Sequence, residues 1–492
     1  MTSPTSISTI FKKKLFLLPL FLIFALALTL RSWRIDYPLA DWHSWRQADT
    51  ASVTRNFVRD GFTPLYPHFD TLYTLNWRYA EKNPDRLFLA EFPLYNILVY
   101  PFYRLFGINI VFSRLVSIFF SSLSIFPLFG LAYSLTKKRS LSYLAAFFFA
   151  VLPYNVYYGR TVMPDPLHVF FQITTLFLFV HWLDKKKLSW GILAAISLAL
   201  TLLTKPYALY LGLPIAALII HQFRFKTFKK WPQLLLLSLI SLLPFAAWRY
   251  HLSLHPEGQF DTAWLINSTK IRFTGAFFRW IIFERLNRLI LATGGFVLFF
   301  AGLIAPKLSR QWTLYLSWLL GLSIFICFIA TGNITHDYYQ LPLVPIACLL
   351  MAEGSVFILK LSQNIFQRLF NLSIVLTLIA LMLAFGWYEV KGFFNVNDWA
   401  MVHAGQKADE ILPSDALVIA PYNRDPAFLY QTNRLGWSFL PFDLDTMIQK
   451  GATHLVSTSL DDQTNEAMKK GVILTQTPEY VIVQLPLPSP TP

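Results

Sequence analysis

Apolar runs of roughly 17 to 25 residues recur along this chain, separated by short polar segments, and each is long enough to cross a bilayer as a helix. They predict spans at about 13–31, 111–135, 141–157, 166–183, 188–204, 207–221, 232–249, 288–305, 311–330, 341–359 and 369–387. One more apolar run, Leu87–Phe106, is interrupted by Pro93, Pro101 and Arg104 and ends at Gly107. If it spanned, the Lys137-Lys138-Arg139 cluster would fall outside. If it lies along the outer surface or re-enters, every tight basic cluster shares one side: Lys12–Lys14, Lys137–Arg139, Lys185–Lys187, Arg224–Lys230, Lys307/Arg310 and Lys360/Arg368. Basic residues concentrate in cytoplasmic loops, so about eleven spans are expected, with the N-terminus inside and the C-terminus outside. The stretch Leu15–Leu30 then reads as a signal anchor. Ala25-Leu26-Ala27 mimics a cleavage site, and a removed signal peptide is the alternative.

The pattern changes near Trp387. Helix-like segments (Asp398–Leu412, Asp443–Lys450) alternate with strand-like ones (Ala416–Ala420, His454–Ser457, Tyr480–Gln484), and Pro486–Pro492 reads as a disordered end. The expected fold is therefore an α-helical polytopic membrane protein with a long first outer loop carrying juxtamembrane helices, followed by a small C-terminal α/β domain outside the membrane. The boundary is placed between residues 1–387 and 388–492. There is no internal repeat.

Composition agrees. Hydrophobic residues make up 55% of the 492 and charged residues 14%, against about 25% charged in soluble domains. This excludes a cytosolic enzyme, a secreted scaffold and a disordered protein, and places the chain in the membrane class, with the plasma or inner membrane of the cell as its expected location. The net charge of +15 follows from 42 Lys+Arg and 27 Asp+Glu. The clusters between spans account for it without a nucleic-acid partner. Both cysteines, Cys327 and Cys348, lie inside apolar runs and build neither a disulfide framework nor a metal knuckle.

The remaining polar residues gather at the expected outer face. The first loop holds Asp41-Trp42-His43-Ser44-Trp45-Arg46-Gln47-Ala48-Asp49-Thr50. A helix from Ser44 to Asp60 would set Trp45, Asp49, Val53 and Phe57 on one stripe. Asp49 then lies on an apolar face, where a carboxylate needs a partner or a task. An Asp49–Arg46 pair at i, i+3 is the plain alternative, and His43 reads as a surface histidine sooner than as a ligand. Asp165, in Arg160-Thr161-Val162-Met163-Pro164-Asp165-Pro166, could cap the helix that follows. Lys205 at a tight outer turn either snorkels to headgroups or binds a phosphate. Lys270, Arg272, Arg279, Arg285 and Arg288 place positive charge outside, against the topological bias, which suggests an anionic ligand or a headgroup-facing surface. His336-Asp337-Tyr338-Tyr339-Gln340 precedes a span and could be an aromatic belt.

Walker, Rossmann, zinc-protease and nucleophile-elbow signatures are absent. A group transferred at the outer face would then come from a lipid-linked or extracellular donor.

In the order of these clusters the chain resembles the GT-C-fold integral-membrane glycosyltransferases, closest to the protein O-mannosyltransferase and lipid A aminoarabinose transferase superfamily. The likeness rests on the acidic first loop, Asp41 to Arg55, and on Glu91-Phe92-Pro93-Leu94 opening the next helix. Arg114-Leu115, Arg160…Asp165, Thr204-Lys205 and Tyr339-Gln340-Leu341-Pro342 complete it. The resemblance implies an inverting transfer of a sugar from a polyprenyl-phosphate donor to a glycan, lipid or protein acceptor at the extracytoplasmic face, among membrane lipids. It implies Asp49 as the catalytic base, with Asp41 as runner-up because the registers differ, and Asp165 beside it. Lys205, Arg272, Arg285, Arg288 and Tyr339 would bind the donor phosphate. Glu91, Arg46, His43, Arg160 and His336 would orient substrates. This chain departs from the family pattern at Phe92, where Lys is common, and at Arg285, where some members carry a metal-binding His. A divalent metal is therefore an open matter, with Glu91 its candidate ligand. A transporter or flippase of lipid-linked glycans is the rival function. It would require ionisable residues within spans near the midplane and internal pseudo-symmetry.

Overall fold

Every expected span position is helical in the computed structural model, which describes residues 7–72, 83, 85–224 and 230–488. Side chains are described from Leu17 onward. Most of the Arg224–Lys230 cluster and the last four residues of the Pro-rich end lie outside the described residues. Among the described residues, eight helices are long and apolar enough to cross a membrane. Three shorter apolar helices, Leu17–Arg31, Arg139–Val151 and Leu188–Thr204, occupy the other three expected positions. The chain is a multi-pass membrane protein. Leu235, Leu239, Leu242 and Leu243 on one long helix, and Phe366, Leu369 and Phe370 on another, are exposed to the surroundings, as lipid-facing positions must be. The Leu94–Phe106 helix has only 13 residues. It extends about 20 Å at 1.5 Å per residue, too little for a bilayer core of about 30 Å. It buries Tyr95, Asn96, Val99 and Tyr103 and exposes Phe102, Leu105 and Phe106, the division expected of a juxtamembrane helix.

The chain divides into two compact units. The first comprises Met1–Trp33, Leu115–Arg249 and Thr262–Lys391. Its helix Val344–Lys360 is buried on every face from Val344 to Ser355, because it is apolar all round. The helix Ala292–Ile304 packs against it so closely that a Cβ on Gly302 would lie 1.9 Å from the Leu350 carbonyl oxygen. Small residues permit such backbone approach between membrane helices. Several helices are broken. Arg139–Val151 stops at Leu152 because Pro153 has no N–H to continue the ladder, and Pro153–Tyr158 resumes as a short helix. The freed carbonyls are taken up by Arg31, which donates to the Ala150 oxygen at 2.9 Å and the Phe149 oxygen at 3.1 Å. Trp280–Leu291 winds as a π-helix before Ala292–Ile304, a geometry frequent at functional sites.

The second unit comprises Arg34–Arg114, Tyr250–Asp261 and Gly392–Pro492. The first-loop helix runs Ser44–Arg59, and its stripe packs Val53 and Phe57 against Phe69 and Phe88. The C-terminal segment builds a five-stranded mixed sheet from β1 (Leu417–Ile419), β2 (Leu435–Trp437), β3 (His454–Ser457), β4 (Val472–Gln476) and β5 (Val481–Gln484), in the order β2-β1-β3-β5-β4. β1 runs parallel to β2 and β3, while β5 is antiparallel to β3 and β4. The three expected strands are β1, β3 and β5. β2 and β4 lacked a clean alternation of their own. Residues 70–72 of the first loop extend the β2 edge, with Leu72 N–H donating to the Gly436 carbonyl at 2.8 Å.

Candidate functional site

In the second unit the first-loop helix is buried along almost its whole length, charged residues included. Its start is irregular. His43 sits in the left-handed region at φ 57° and gives no side-chain cap. Arg46 turns away from Asp49 and forms a buried ion pair with Glu91, so the i, i+3 pair allowed by the spacing is not the one made. Arg55 pairs with Asp70, another buried carboxylate, and also donates to the Tyr430 carbonyl at 3.0 Å. Asp41 accepts from Gln47 Nε2 at 2.7 Å and lies 3.7 Å from the Arg114 guanidinium.

Asp49 differs from these acids. Its side chain lies in a residue only 4% exposed, and among the described residues no donor hydrogen-bonds its carboxyl and no cation lies within ion-pair distance. Burial pushes its pKa up to about 8; Arg46 lowers it in part, while Asp425 and Asp70 raise it further. The carboxyl is therefore poised to exchange a proton near neutral pH. Asp425 comes from the C-terminal segment, where no local pattern marked it. It accepts from Ser44 Oγ at 2.7 Å and from the Ala427 N–H at 2.8 Å, and burial raises its pKa too.

In the first unit Asp165 is the first residue of the helix Asp165–Lys185, behind the N-cap Pro164. Its carboxylate faces Lys205 at 3.4 Å, and both residues are buried. Lys205 is thus enclosed rather than snorkelling. His168, one turn on, lies 1% exposed with its ring 5.2 Å from Tyr207, and Tyr207 stacks on Phe325 and approaches Tyr339. Neither His168 nor Tyr207 carried a distinguishing signal within its apolar run. A second cluster centres on Asp337. Its carboxylate accepts from Tyr158 Oη and lies 3.7 Å from Arg285, while its backbone oxygen accepts from Tyr154 at 2.6 Å. Arg160 is buried nearby in sequence to these tyrosines, and His336 packs its ring against Tyr338 and Tyr339.

The outer cations are not equivalent. Arg288 is largely exposed and is tied to Glu389 at 2.9 Å and Glu284 at 3.4 Å. Arg285 shares Asp337. Arg272 donates to the Phe328 and Ile266 carbonyls, and no carboxylate among the described residues neutralises it. Glu91, the candidate metal ligand, is tied to Arg46. Among the described residues no group of three His, Cys, Asp or Glu is placed to hold a metal ion. The residues present do not fit a resident metal, and none enters the proposed reaction.

Residues 90–248 match the family of dolichyl-phosphate-mannose-protein mannosyltransferases. Over this segment the chain is similar to that glycosyltransferase family, which lies within the superfamily that the motif order resembles. Its fold is similar to that of a solved structure of ArnT from Cupriavidus metallidurans bound to undecaprenyl phosphate, with TM-score 0.64 and 12% identity over 94% of this chain and 97% of that one. It is also similar to the oligosaccharyltransferase AglB from Archaeoglobus fulgidus, solved with an inhibitory peptide and a dolichol-phosphate, with TM-score 0.57 and 12% identity over 91% of this chain and 70% of that one. At such identity the likeness is one of fold. No curated relative matches by sequence.

Proposed function

We propose that this membrane glycosyltransferase moves a sugar from a polyprenyl-phosphate donor to an acceptor hydroxyl at the extracytoplasmic face, with inversion, and that all eleven apolar helices cross the membrane. The observation that carries the reading is the buried carboxyl of Asp49 on the first-loop helix, with no ion-pair partner among the described residues. Structural carboxylates in this chain are paired, as Asp41, Asp70 and Glu91 are. An acid buried without a partner costs stability unless it serves chemistry.

In the proposed step the acceptor oxygen forms a bond to the anomeric carbon as its proton passes to Asp49. The bond from that carbon to the phosphate oxygen breaks, and its electron pair leaves with the lipid phosphate. Attack opposite the leaving group inverts the anomeric centre. The phosphodiester carries one negative charge and the departing monoester more, so cations fixed there stabilise the transition state beyond the ground state. Lys205, Arg272 and Arg285 are assigned to that task, with Arg288 as an outer attraction for the headgroup and Tyr339 as a hydrogen-bond donor. Asp165 holds Lys205 in place. Glu91 holds Arg46 in a buried ion pair, and His43, Arg160 and His336 are proposed to contact the sugar or acceptor.

The test is sugar transfer by the protein in nanodiscs, offered a panel of radiolabelled polyprenyl-phosphate sugars. Asp49→Asn should lower turnover about 10²–10⁴-fold while donor binding persists. Asp41→Asn should act through folding. Full turnover in Asp49→Asn would transfer the role of base to Asp41 or elsewhere.

A further inference from the structure

The C-terminal segment grips the start of the first-loop helix. Asn397 N–H donates to the Ala40 carbonyl at 2.7 Å, and its side-chain amide donates to the Asp41 carbonyl at 3.1 Å. Trp42 stacks on Phe393, with ring centroids 4.9 Å apart and planes 9° apart, and its N–H donates to the Phe393 carbonyl at 3.1 Å. Gln431 Nε2 donates to the Leu39 carbonyl at 3.0 Å. Asp425 completes the grip on Ser44, the first residue of the helix. A helix that begins with a left-handed, uncapped residue is poorly fixed by its own sequence, and these contacts supply what it lacks.

We propose that Asp425 is a positioning residue for the reaction: held by Ser44 at the start of the first-loop helix, it acts through Asp49 as a second buried acid. The inference rests on the reading of Asp49 as the base, and it gives the C-terminal domain a part in catalysis. Other groups also face this pair. Arg46 and Asp70 act on Asp49, and His43 and Tyr422 face Asp425. Negative charge on Asp425 disfavours charge on Asp49, and so keeps the base strong enough to take a hydroxyl proton. The two acids then titrate as a coupled pair.

The experiment measures kcat and donor KM against pH for the full-length protein in nanodiscs. Asp425→Asn keeps an acceptor for Ser44 but removes the charge. Its rising limb should move to lower pH by about half to one pH unit, with KM within about twofold of the parent. Ser44→Ala keeps the acid but frees it, and should lower kcat severalfold at unchanged KM without lowering the melting temperature in proportion. Asp443→Ala is the folding control. It removes an exposed N-cap, bonded to the Thr446 N–H at 2.9 Å on another helix, and should leave the limb in place. If Asp49→Asn is inactive and the limb of Asp425→Asn superimposes on the parent, the positioning role is overturned and the base survives. If Asp49→Asn is active, the base reading fails first and the positioning role fails with it. If Asp425→Asn does not fold, the Ser44→Ala result decides: a loss of kcat that only tracks loss of folded protein overturns the proposal.

Discussion

If Asp49 is the base, the pH dependence of sugar transfer follows from this one buried group. Asp49 ionises at about 8 in the folded chain and near 3.8 in an unfolded one. If it is the base, only about one molecule in ten is competent at pH 7 and about one in a hundred at pH 6, so kcat/KM should rise about tenfold per pH unit and level off above 8. Stability must move the other way. The folded state binds this proton more tightly than the unfolded state, so the stabilisation is complete below pH 4 and is lost as the pH climbs through 8. At about 1.36 kcal/mol per pH unit the loss approaches about 6 kcal/mol, and the raised pKa of Asp425 adds to it in the same direction. Thermal unfolding in nanodiscs from pH 5 to 9, beside kcat/KM over the same range, reads both effects. The parent should become more active and less stable as pH rises, and Asp49→Asn should lose the activity and flatten the stability slope. A kcat/KM already level at pH 6, or an Asp49→Asn slope as steep as the parent's, would refute the reasoning.

Lys205→Met removes the cation 3.4 Å from the buried Asp165 carboxylate and should cost about 3–5 kcal/mol; adding Asp165→Asn should return most of that in a melting experiment while donor use stays impaired. Glu91→Gln breaks the buried Arg46–Glu91 ion pair, so more of the Arg46 charge bears on Asp49 and the kcat/KM limb should move to lower pH. Gly302→Ala drives a methyl onto the Leu350 carbonyl and should destabilise by about 2 kcal/mol or more, whereas Gly392→Ala, where a Cβ meets open space, should melt like the parent.

Much of the architecture was readable from one dimension. A run of about twenty apolar residues has few fates but to span, and Lys137–Arg139 against Pro93 and Pro101 decided which run did not. Helical spacing placed Asp49 on the apolar stripe with Val53 and Phe57, and motif order named the superfamily. What spacing could not decide was partnership. Arg46 is three residues from Asp49 and 45 from Glu91, and it is Glu91 that it meets, because packing of the first-loop helix orients the guanidinium away from its neighbour. Asp425 stands more than 370 residues from Ser44, and only the folded second unit brings them within a hydrogen bond. The same holds for Tyr158 and Arg285 around Asp337, and for Arg31 at the break before Pro153. Hydrophobicity is a property of each residue and sums along a sequence. Ion pairing, proton affinity and helix capping are properties of neighbours in space, and the tertiary structure alone chooses those.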